Sequence, residues 1–282
     1  MNQAPVEITD IGARLREEIA QNQLQLPTLP EIALQVRDAV EDENTTANRV
    51  ADIVAKDPAL SARLLQVANS PLYRGRVEVD NLAMAVNRLG LKLVRSLVVS
   101  LAMKQMFQAT SDHLDKAFRT VWDECMQVAA ISRVLSKGLG TLAPEQAMLA
   151  GLVHRIGVLP ILARLDELLG SSAQPQQIEQ LVDELAPELG SAILAQWHFP
   201  DSLLNVPTDC LDLTRDRDQP DYADVVMVAR LQYLMGIGRL PDDLDFAHIS
   251  AFSRVDLEPE VIIMDLEGPA EEITEVQALF SS

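Results

Sequence analysis

Residues 144–169 have the sequence PEQAMLAGLVHRIGVLPILARLDELL. Apolar residues recur in it at the spacing of a buried helix, and a proline is well tolerated in a first helical turn because its missing N–H is not needed there. We predict one helix that begins at Pro144 and runs towards Leu169. The same stretch places His154 beside Arg155 in otherwise apolar surroundings.

The periodicity of the remaining sequence is also helical. The sequence has only 12 glycines, and only 4% of its residues are aromatic. This composition argues against a turn-rich all-β chain. Thr45 or Thr46, and then Asp57-Pro58, are typical of helix starts. Residues 113–138 are predicted to form one long helix, and 176–186 and 188–199 two further helices separated by Pro187. The predicted fold class is all-α.

The charge of the chain is negative and unevenly distributed. Its 23 basic and 42 acidic residues give a net charge of −19. Residues 201–282 contain 5 basic and 18 acidic side chains, whereas residues 1–110 contain 12 and 13. Because nucleic-acid affinity depends on neutralising phosphates, we expect no nucleic-acid partner. The acidic last third is a solubilising face or a surface for a basic partner.

The sequence has no clear pattern for disulfide formation, export or membrane insertion. The two cysteines, Cys125 and Cys210, cannot build a disulfide framework, and no N-terminal stretch resembles a signal peptide. The apolar segment 89–106 is interrupted by three basic residues, which is too polar for a membrane span. We therefore expect a cytoplasmic protein with no membrane association.

Motifs for common catalytic chemistry are missing from the sequence. It contains no phosphate-binding glycine loop, no dinucleotide turn and no nucleophile elbow. Its four histidines show no paired spacing typical of a metal site. Cys125 lies on an apolar helical stripe, and the acidic neighbours of Cys210 disfavour its thiolate. We expect no cofactor.

One basic cluster could form an interaction surface. Its members are Arg74, Arg76, Arg88, Lys92, Arg95 and Lys104, and the first four are the candidate interaction surface. The alternative is a solvated rim whose aliphatic stems cover apolar surface.

Several ordered motifs resemble the HDOD domain, the HD-related output domain of bacterial signalling proteins. The N-terminal motifs are Leu26-Pro-Thr-Leu-Pro30, Asp57-Pro-Ala-Leu60 with Ala68-Asn-Ser70, and residues 85–90. The later ones are Trp122, residues 150–157, Glu188-Leu-Gly190 with Trp197 and Pro200, and residues 221–224. The similarity spans roughly residues 24 to 236. It implies an HD-like multi-helix bundle in which an N-terminal helical lobe packs on a degenerate HD lobe.

The resemblance also implies a domain organisation. We expect a single unit with an N-terminal helix at 1–23, a helical lobe at 24–110, a degenerate HD-like lobe at 111–236 and an acidic helical extension at 237–282.

Related HD phosphohydrolases hold a metal with a His on one helix, a His-Asp pair on the next and a distant Asp. By the local motifs these positions fall on Glu124, on His154-Arg155 and around Asp209 and Cys210, with a further His position near Pro187. A guanidinium has no lone pair to offer a cation. The resemblance therefore implies no metal site and no metal-dependent catalysis.

The substitutions suggest a hypothesis for the former pocket. Arg155 can pair with Glu124 if both helices still line it, so that a charge pair joins two helices in place of a metal. Asp209 and His154 would complete this vestigial pocket.

The resemblance implies a non-enzymatic regulatory module in two-component or cyclic-dinucleotide signalling. No receiver, GGDEF, EAL or kinase pattern accompanies it, so a kinase, cyclase or phosphodiesterase would be engaged in trans. One alternative is a divergent metal-dependent phosphohydrolase. Another is a sensor of a small anionic ligand, with Arg155 favouring the anion.

Overall fold

A computed structural model describes residues 8–21, 23–107, 112–169, 175–241 and 244–279. These residues form helices and connecting turns, with no strand in the part of the chain that is described. The all-α prediction is confirmed.

The helices follow one another with short connections. In chain order they are α1 (Ile8–Ala20), α2 (Glu31–Glu41), α3 (Ala47–Val54), α4 (Pro58–Ala68), α5 (Leu82–Leu89), α6 (Leu91–Met106), α7 (Asp112–Leu139), α8 (Pro144–Val153), α9 (Val158–Leu169), α10 (Pro175–Gln196), α11 (Asp201–Leu204), α12 (Val206–Asp209), α13 (Tyr222–Gly236), α14 (Ala251–Arg254) and α15 (Pro269–Ala278). Two 3-10 turns, Phe246–His248 and Ile263–Asp265, lie on either side of α14.

The single helix predicted over 144–169 is wrong, because α8 and α9 are separated by a turn at residues 154–157. His154 Nδ1 lies 2.6 Å from the carbonyl of Gly151. In a continuous helix that carbonyl would accept from the N–H of residue 155. The turn is then closed by a hydrogen bond from the Val158 N–H to the Arg155 carbonyl, 3.0 Å long. A histidine side chain thus replaces one helical hydrogen bond.

The break predicted at Pro187 is also wrong, since α10 runs through it. An interior proline costs about 3 kcal/mol. Apolar residues are buried on both sides of it, including Val182 and Ile193. Tertiary packing of the two halves therefore outweighs the local cost.

The N-terminal lobe consists of α2 to α6, and α3 and α4 begin where the sequence predicts. Thr46 Oγ1 accepts from the Arg49 N–H at 3.2 Å, and Asp57 accepts from the N–H groups of Ala59 and Leu60. Gly90 joins α5 to α6 with φ of +79°, a conformation that favours glycine. The α6 helix is buried along most of its length.

The second lobe is built around α7, α8 and α13. α8 is buried from Ala147 to Val153. It approaches α7 so closely that a Cβ at Gly151 would lie 2.5 Å from Ala129 Cα. This packing fixes the position of the turn that follows α8.

The two lobes are joined by side-chain to backbone hydrogen bonds. Trp197 Nε1 donates to the Pro27 carbonyl at 2.9 Å, and Arg37 donates to the carbonyl of Trp197. The predicted packing of an N-terminal lobe on an HD-like lobe is confirmed.

Both ends of the described chain pack on the body. In α1, Glu18 accepts from Arg164 of α9 at 2.7 Å. In α15, Glu272 accepts from Lys137 of α7 at 2.7 Å and also from Arg133. Arg63 of α4 donates to the Leu279 carbonyl at 3.1 Å, so the C-terminal segment contacts both lobes.

One stretch of the described residues, Pro144–Leu168, is long and apolar enough to cross a membrane by length and composition alone. Of its most apolar window, 83% is buried inside the protein. Buried core segments have the same composition.

Candidate functional site

Glu124 is a buried carboxylate on α7, with 7% of its surface exposed. Arg155 Nη1 donates to both of its oxygens, at 3.2 Å to Oε1 and 3.1 Å to Oε2. The hypothesis that these two residues pair is confirmed by this geometry. The pair connects α7 to the turn between α8 and α9.

Arg155 reaches two carboxylates from that turn. Its Nη2 lies 3.4 Å from Asp183 Oδ1 on α10, and Asp183 is largely exposed. Burial by itself would lower the pKa of Arg155, but Glu124 and Asp183 together raise it above the ordinary value. Arg155 is therefore a permanent cation between α7 and α10.

A second guanidinium faces the same carboxylate. Arg230 of α13 places Nε 3.5 Å from Glu124 Oε1. This Nε is buried and has no hydrogen-bond partner among the described residues. Glu124 thus stands between two arginines from different elements.

The charge of Glu124 follows from these contacts. Burial by itself would raise its pKa, but His154, Arg155 and Arg230 outweigh burial and lower the pKa to about 2. The carboxylate is therefore ionised at neutral pH.

His154 is buried in the same place, with 4% of its surface exposed. Burial lowers its pKa, against the raising effect of Glu124, so the ring is neutral at pH 7. With Nδ1 as the donor to the Gly151 carbonyl, Nε2 is left as an acceptor. Nε2 lies 3.8 Å from Glu124 Oε1 and has no hydrogen-bond partner in the described part of the chain.

Glu124, Arg155 and Arg230 line one end of a half-open cavity of about 700 Å³. Its walls are mostly aliphatic, and the described apolar residues that line it are Ala117, Val121, Val158, Leu162, Ile178, Val182, Leu211, Leu213, Met227, Leu231, Leu234, Leu240, Pro241 and Leu244. A smaller chamber of about 30 Å³ adjoins it and is lined by His154, Arg155, Cys210 and Arg230, among others.

The structure does not bring Asp209 to this group. Asp209 is not among the described residues that line either cavity, and its Oδ2 lies 3.4 Å from Arg215 Nη2. Arg215 also donates to Asp221 and to Asp224, both at 2.7 Å. The prediction that Asp209 belongs to the pocket is wrong, because Arg215 holds this carboxylate in a separate ion-pair network.

The residues at the pocket do not fit a metal. Among the described residues there is no group of three or more His, Cys, Asp or Glu side chains that could hold one. A cation coordinated by Glu124 and His154 would lie beside the guanidiniums of Arg155 and Arg230. At about 4 Å and an effective dielectric constant of about 20, a single guanidinium and a divalent cation repel by about 8 kcal/mol.

Neither cysteine is placed for nucleophilic chemistry. Both are free and buried. Burial raises the pKa of Cys125 far above its usual range, and burial raises the pKa of Cys210 to about 12. Burial is the main cause of the raised pKa of Cys210, and the negative charge of Asp209 contributes less to it.

The predicted basic cluster is divided in the structure. Arg88 donates to the carbonyl of Val77 at 2.6 Å and so holds the loop between α4 and α5. Arg74 and Arg76 are exposed on that loop, and Lys92 is exposed on α6. Three of the four side chains remain available at the surface.

Sequence reasoning missed three contributors. Arg230 and Asp183 do not belong to any recognisable sequence motif. The packing of α13 brings Arg230 to Glu124, and the packing of α10 brings Asp183 to Arg155. Asp224 belongs to a quoted motif, yet its role as a buried partner of Arg215 and Arg254 needs the fold to be seen. A charged residue inside an apolar helical pattern is the one signal that could have drawn attention to Arg230 and Asp224.

Comparison with known proteins agrees with this fold. The model of the HDOD domain matches residues 26–208. An uncharacterized protein from Treponema pallidum is 22% identical over 214 residues, which cover 71% of this chain and 40% of that protein. The chain therefore spans less than half the length of that relative.

Two solved structures share the architecture. A candidate metal-dependent phosphohydrolase from Shewanella amazonensis is 27% identical with a TM-score of 0.85, covering 97% of this chain and 99% of that one. A candidate signal transduction protein from Marinobacter aquaeolei is 20% identical with a TM-score of 0.67, covering 98% of this chain and 69% of that one.

Proposed function

The chain belongs to the HDOD domain family, and from this premise we propose that it is a signal-transduction domain that regulates a partner protein and catalyses no reaction of its own. The Glu124 cluster carries this proposal. Two guanidiniums lie against the one carboxylate, at a position that the resemblance to HD phosphohydrolases assigns to a metal ligand. The signal transduction protein with the same fold supports a regulatory role.

A divergent metal-dependent phosphohydrolase is the competing function, because the Shewanella structure of the same architecture bears that name. Lewis-acid hydrolysis needs a cation with open coordination positions and several protein ligands. Here the neighbours of Glu124 and His154 repel a cation. We therefore propose that the pocket has lost this chemistry.

Metal content and hydrolysis, measured together, test the absence of catalysis. We expect no stoichiometric Mn, Fe or Zn after purification or reconstitution, and no turnover of a phosphomonoester or a cyclic dinucleotide. The variant Arg155→Asp restores a His-Asp pair but should not restore activity, since the other ligands are missing. About one metal per chain, with turnover that His154→Ala abolishes, would show an enzyme.

The regulatory surface is proposed to be the loop between α4 and α5 together with Lys92. Asn69 fixes this loop through two hydrogen bonds of 2.8 Å to the backbone of Val79, while Arg74 and Arg76 point outwards. Val77 at the tip is 64% exposed. The loop exposes Arg74 and Arg76 together with Glu78 and Asp80, and we propose that its two arginines contact an acidic partner surface.

A capture experiment with a charge-reversed control tests this surface. Wild-type protein used as bait should retain a kinase, cyclase or phosphodiesterase identified by mass spectrometry. The double variant Arg74→Glu, Arg76→Glu should lose it at unchanged thermal stability, because both side chains are exposed. Equal capture by both proteins would remove this surface from the proposal.

A further inference from the structure

The cavity of about 700 Å³ has the size of a small-molecule site, since ligand pockets typically measure about 300–1,000 Å³. About half of the described residues that line it are leucine, isoleucine or valine, from α7, α9, α10, α13 and the segments that follow α12 and α13, and seven of the lining residues are charged. Such a wall can bury an apolar body and offers it few hydrogen bonds.

Among the described residues that line the cavity, cations outnumber carboxylates by one. The cations are Lys116, Arg155, Arg230 and Arg239, and the carboxylates are Glu124, Glu179 and Asp183. Burial raises the pKa of a further lining group, Cys210, so its thiol is neutral. The described part of the lining therefore carries a net charge of +1, and residues 242 and 243 lie outside that part.

Most of these cations already have partners. Arg155 contacts Glu124 and Asp183, and Arg239 pairs with Glu179. Arg230 only approaches Glu124 at 3.5 Å and keeps a buried Nε with no hydrogen-bond partner in the described part of the protein. Its guanidinium therefore has donor capacity that its contacts with the described residues do not use.

A second unsatisfied group lies behind Arg230. His154 has 1% of its side chain exposed, and its Nε2 is an acceptor without a donor among the described residues. It lines the adjoining chamber of about 30 Å³, which is large enough for a single water. A water there can donate to Nε2.

From this arrangement we propose that the cavity binds an apolar monocarboxylate, with its carboxylate on Arg230 beside Arg155 and its hydrocarbon body along the leucine wall. A nucleotide fits less well, because its further charges and its sugar and base groups would face aliphatic side chains without partners. This ligand would be an input to the proposed regulatory domain, and its binding can be tested with no partner present.

Calorimetric titration and thermal unfolding with decanoate test the proposal. Decanoate should bind the wild-type protein and raise its melting temperature by mass action. Decan-1-ol has the same tail without the charge and should bind about tenfold more weakly or less, as should a cyclic dinucleotide. Equal affinity for the alcohol would overturn the role of the charge, and tighter nucleotide binding would overturn the apolar ligand class.

Three variants locate the site. Arg230→Gln should weaken decanoate binding by about tenfold or more. The control Arg14→Gln removes an exposed arginine on α1 and should leave affinity unchanged. Leu234→Trp should block binding by filling the cavity while all charges remain, so it keeps the test decisive if Arg230→Gln does not fold.

Failure of decanoate to bind the wild type, or unchanged binding by Arg230→Gln and Leu234→Trp, would overturn the proposal. Neither result would bear on the absence of hydrolysis, which the metal and turnover measurements decide separately.

Discussion

Glu124 is the residue on which the site depends most, because its buried charge contacts two partly buried arginines. Replacing it by glutamine leaves Arg155 and Arg230 without their carboxylate. Removal of one partner of a buried pair costs about 3–5 kcal/mol. We expect Glu124→Gln to lower the free energy of unfolding by about 3 kcal/mol at pH 7, measured by urea denaturation.

The effect of Glu124→Gln should depend on pH in a defined direction. The pKa of Glu124 is lowered from 4.5 to about 2 in the folded protein, so its contribution is fully present above pH 4.5 and is lost as pH falls towards 2. The difference between wild type and variant should shrink by about 2 kcal/mol between pH 7 and pH 3. A difference that stays constant with pH would contradict this assignment.

Glu179→Gln is the matched control for that experiment. Glu179 also pairs with an arginine at the cavity, but it is half exposed. Exposed pairs contribute less than about 1 kcal/mol. A loss as large as that of Glu124→Gln would mean that burial is not what makes Glu124 important.

Asp224 is the second residue with a predicted large effect. It is fully buried and contacts Arg215 and Arg254, each at 2.7 Å. Asp224→Asn should destabilise the protein by about 3 kcal/mol or more, because two buried arginines lose their shared carboxylate. Asp216 is 90% exposed and lies 3.6 Å from Arg254, so Asp216→Asn should cost less than about 1 kcal/mol. Equal losses in thermal unfolding would contradict the account.

At the scale of elements, the turn between α8 and α9 determines where Arg155 lies. A Cβ at Gly157 would lie 2.0 Å from the Ala186 carbonyl oxygen and 2.5 Å from the Gly190 nitrogen. Gly157→Ala must therefore push α10 away, and we expect a loss of about 3 kcal/mol. Gly138→Ala is the control, since nothing lies within 4 Å of its Cβ position, and it should gain about 0.5–1 kcal/mol. An equally stable Gly157→Ala protein would contradict the close approach of α10.

Elements were predictable from sequence where local chemistry decides them. The starts of α3 and α4 follow from Thr46 and Asp57-Pro58, whose side chains cap the helices within the same turn. The two errors, at residues 154–157 and at Pro187, come from tertiary packing. No local sequence pattern shows that the His154 side chain bonds to the preceding helical turn. Likewise, no local pattern shows that α10 continues through Pro187.

The site was predictable to the same extent. The pairing of Glu124 with Arg155 could be predicted from the resemblance to HD phosphohydrolases. Both residues stand at positions that hold metal ligands in those enzymes, and their charges are opposite. The contact of Arg230 with Glu124 could not be predicted, because the distance between them is fixed by how α13 packs on α7. Asp209 was misplaced because Arg215, only six residues later, holds it away from the pocket.

For the whole molecule, the acidic last third is partly an internal feature. Its carboxylates at Asp221, Asp224 and Glu272 pair with arginines or with Lys137 of α7. Glu272 ties α15 to α7, whereas Asp221 and Asp224 pair with Arg215 and Arg254 inside the same third of the chain. Among these pairs, only the Glu272 contacts therefore bring in cations from outside residues 201–282.

The central claim is that an ion pair between the buried Glu124 and Arg155 joins α7 to the turn after α8. A double-mutant cycle of Glu124→Gln and Arg155→Gln, followed by urea unfolding at pH 7, tests it most directly. The account predicts a coupling free energy of about 2 kcal/mol between the two side chains. A coupling below about 0.5 kcal/mol would show that the two groups act independently, and would contradict it.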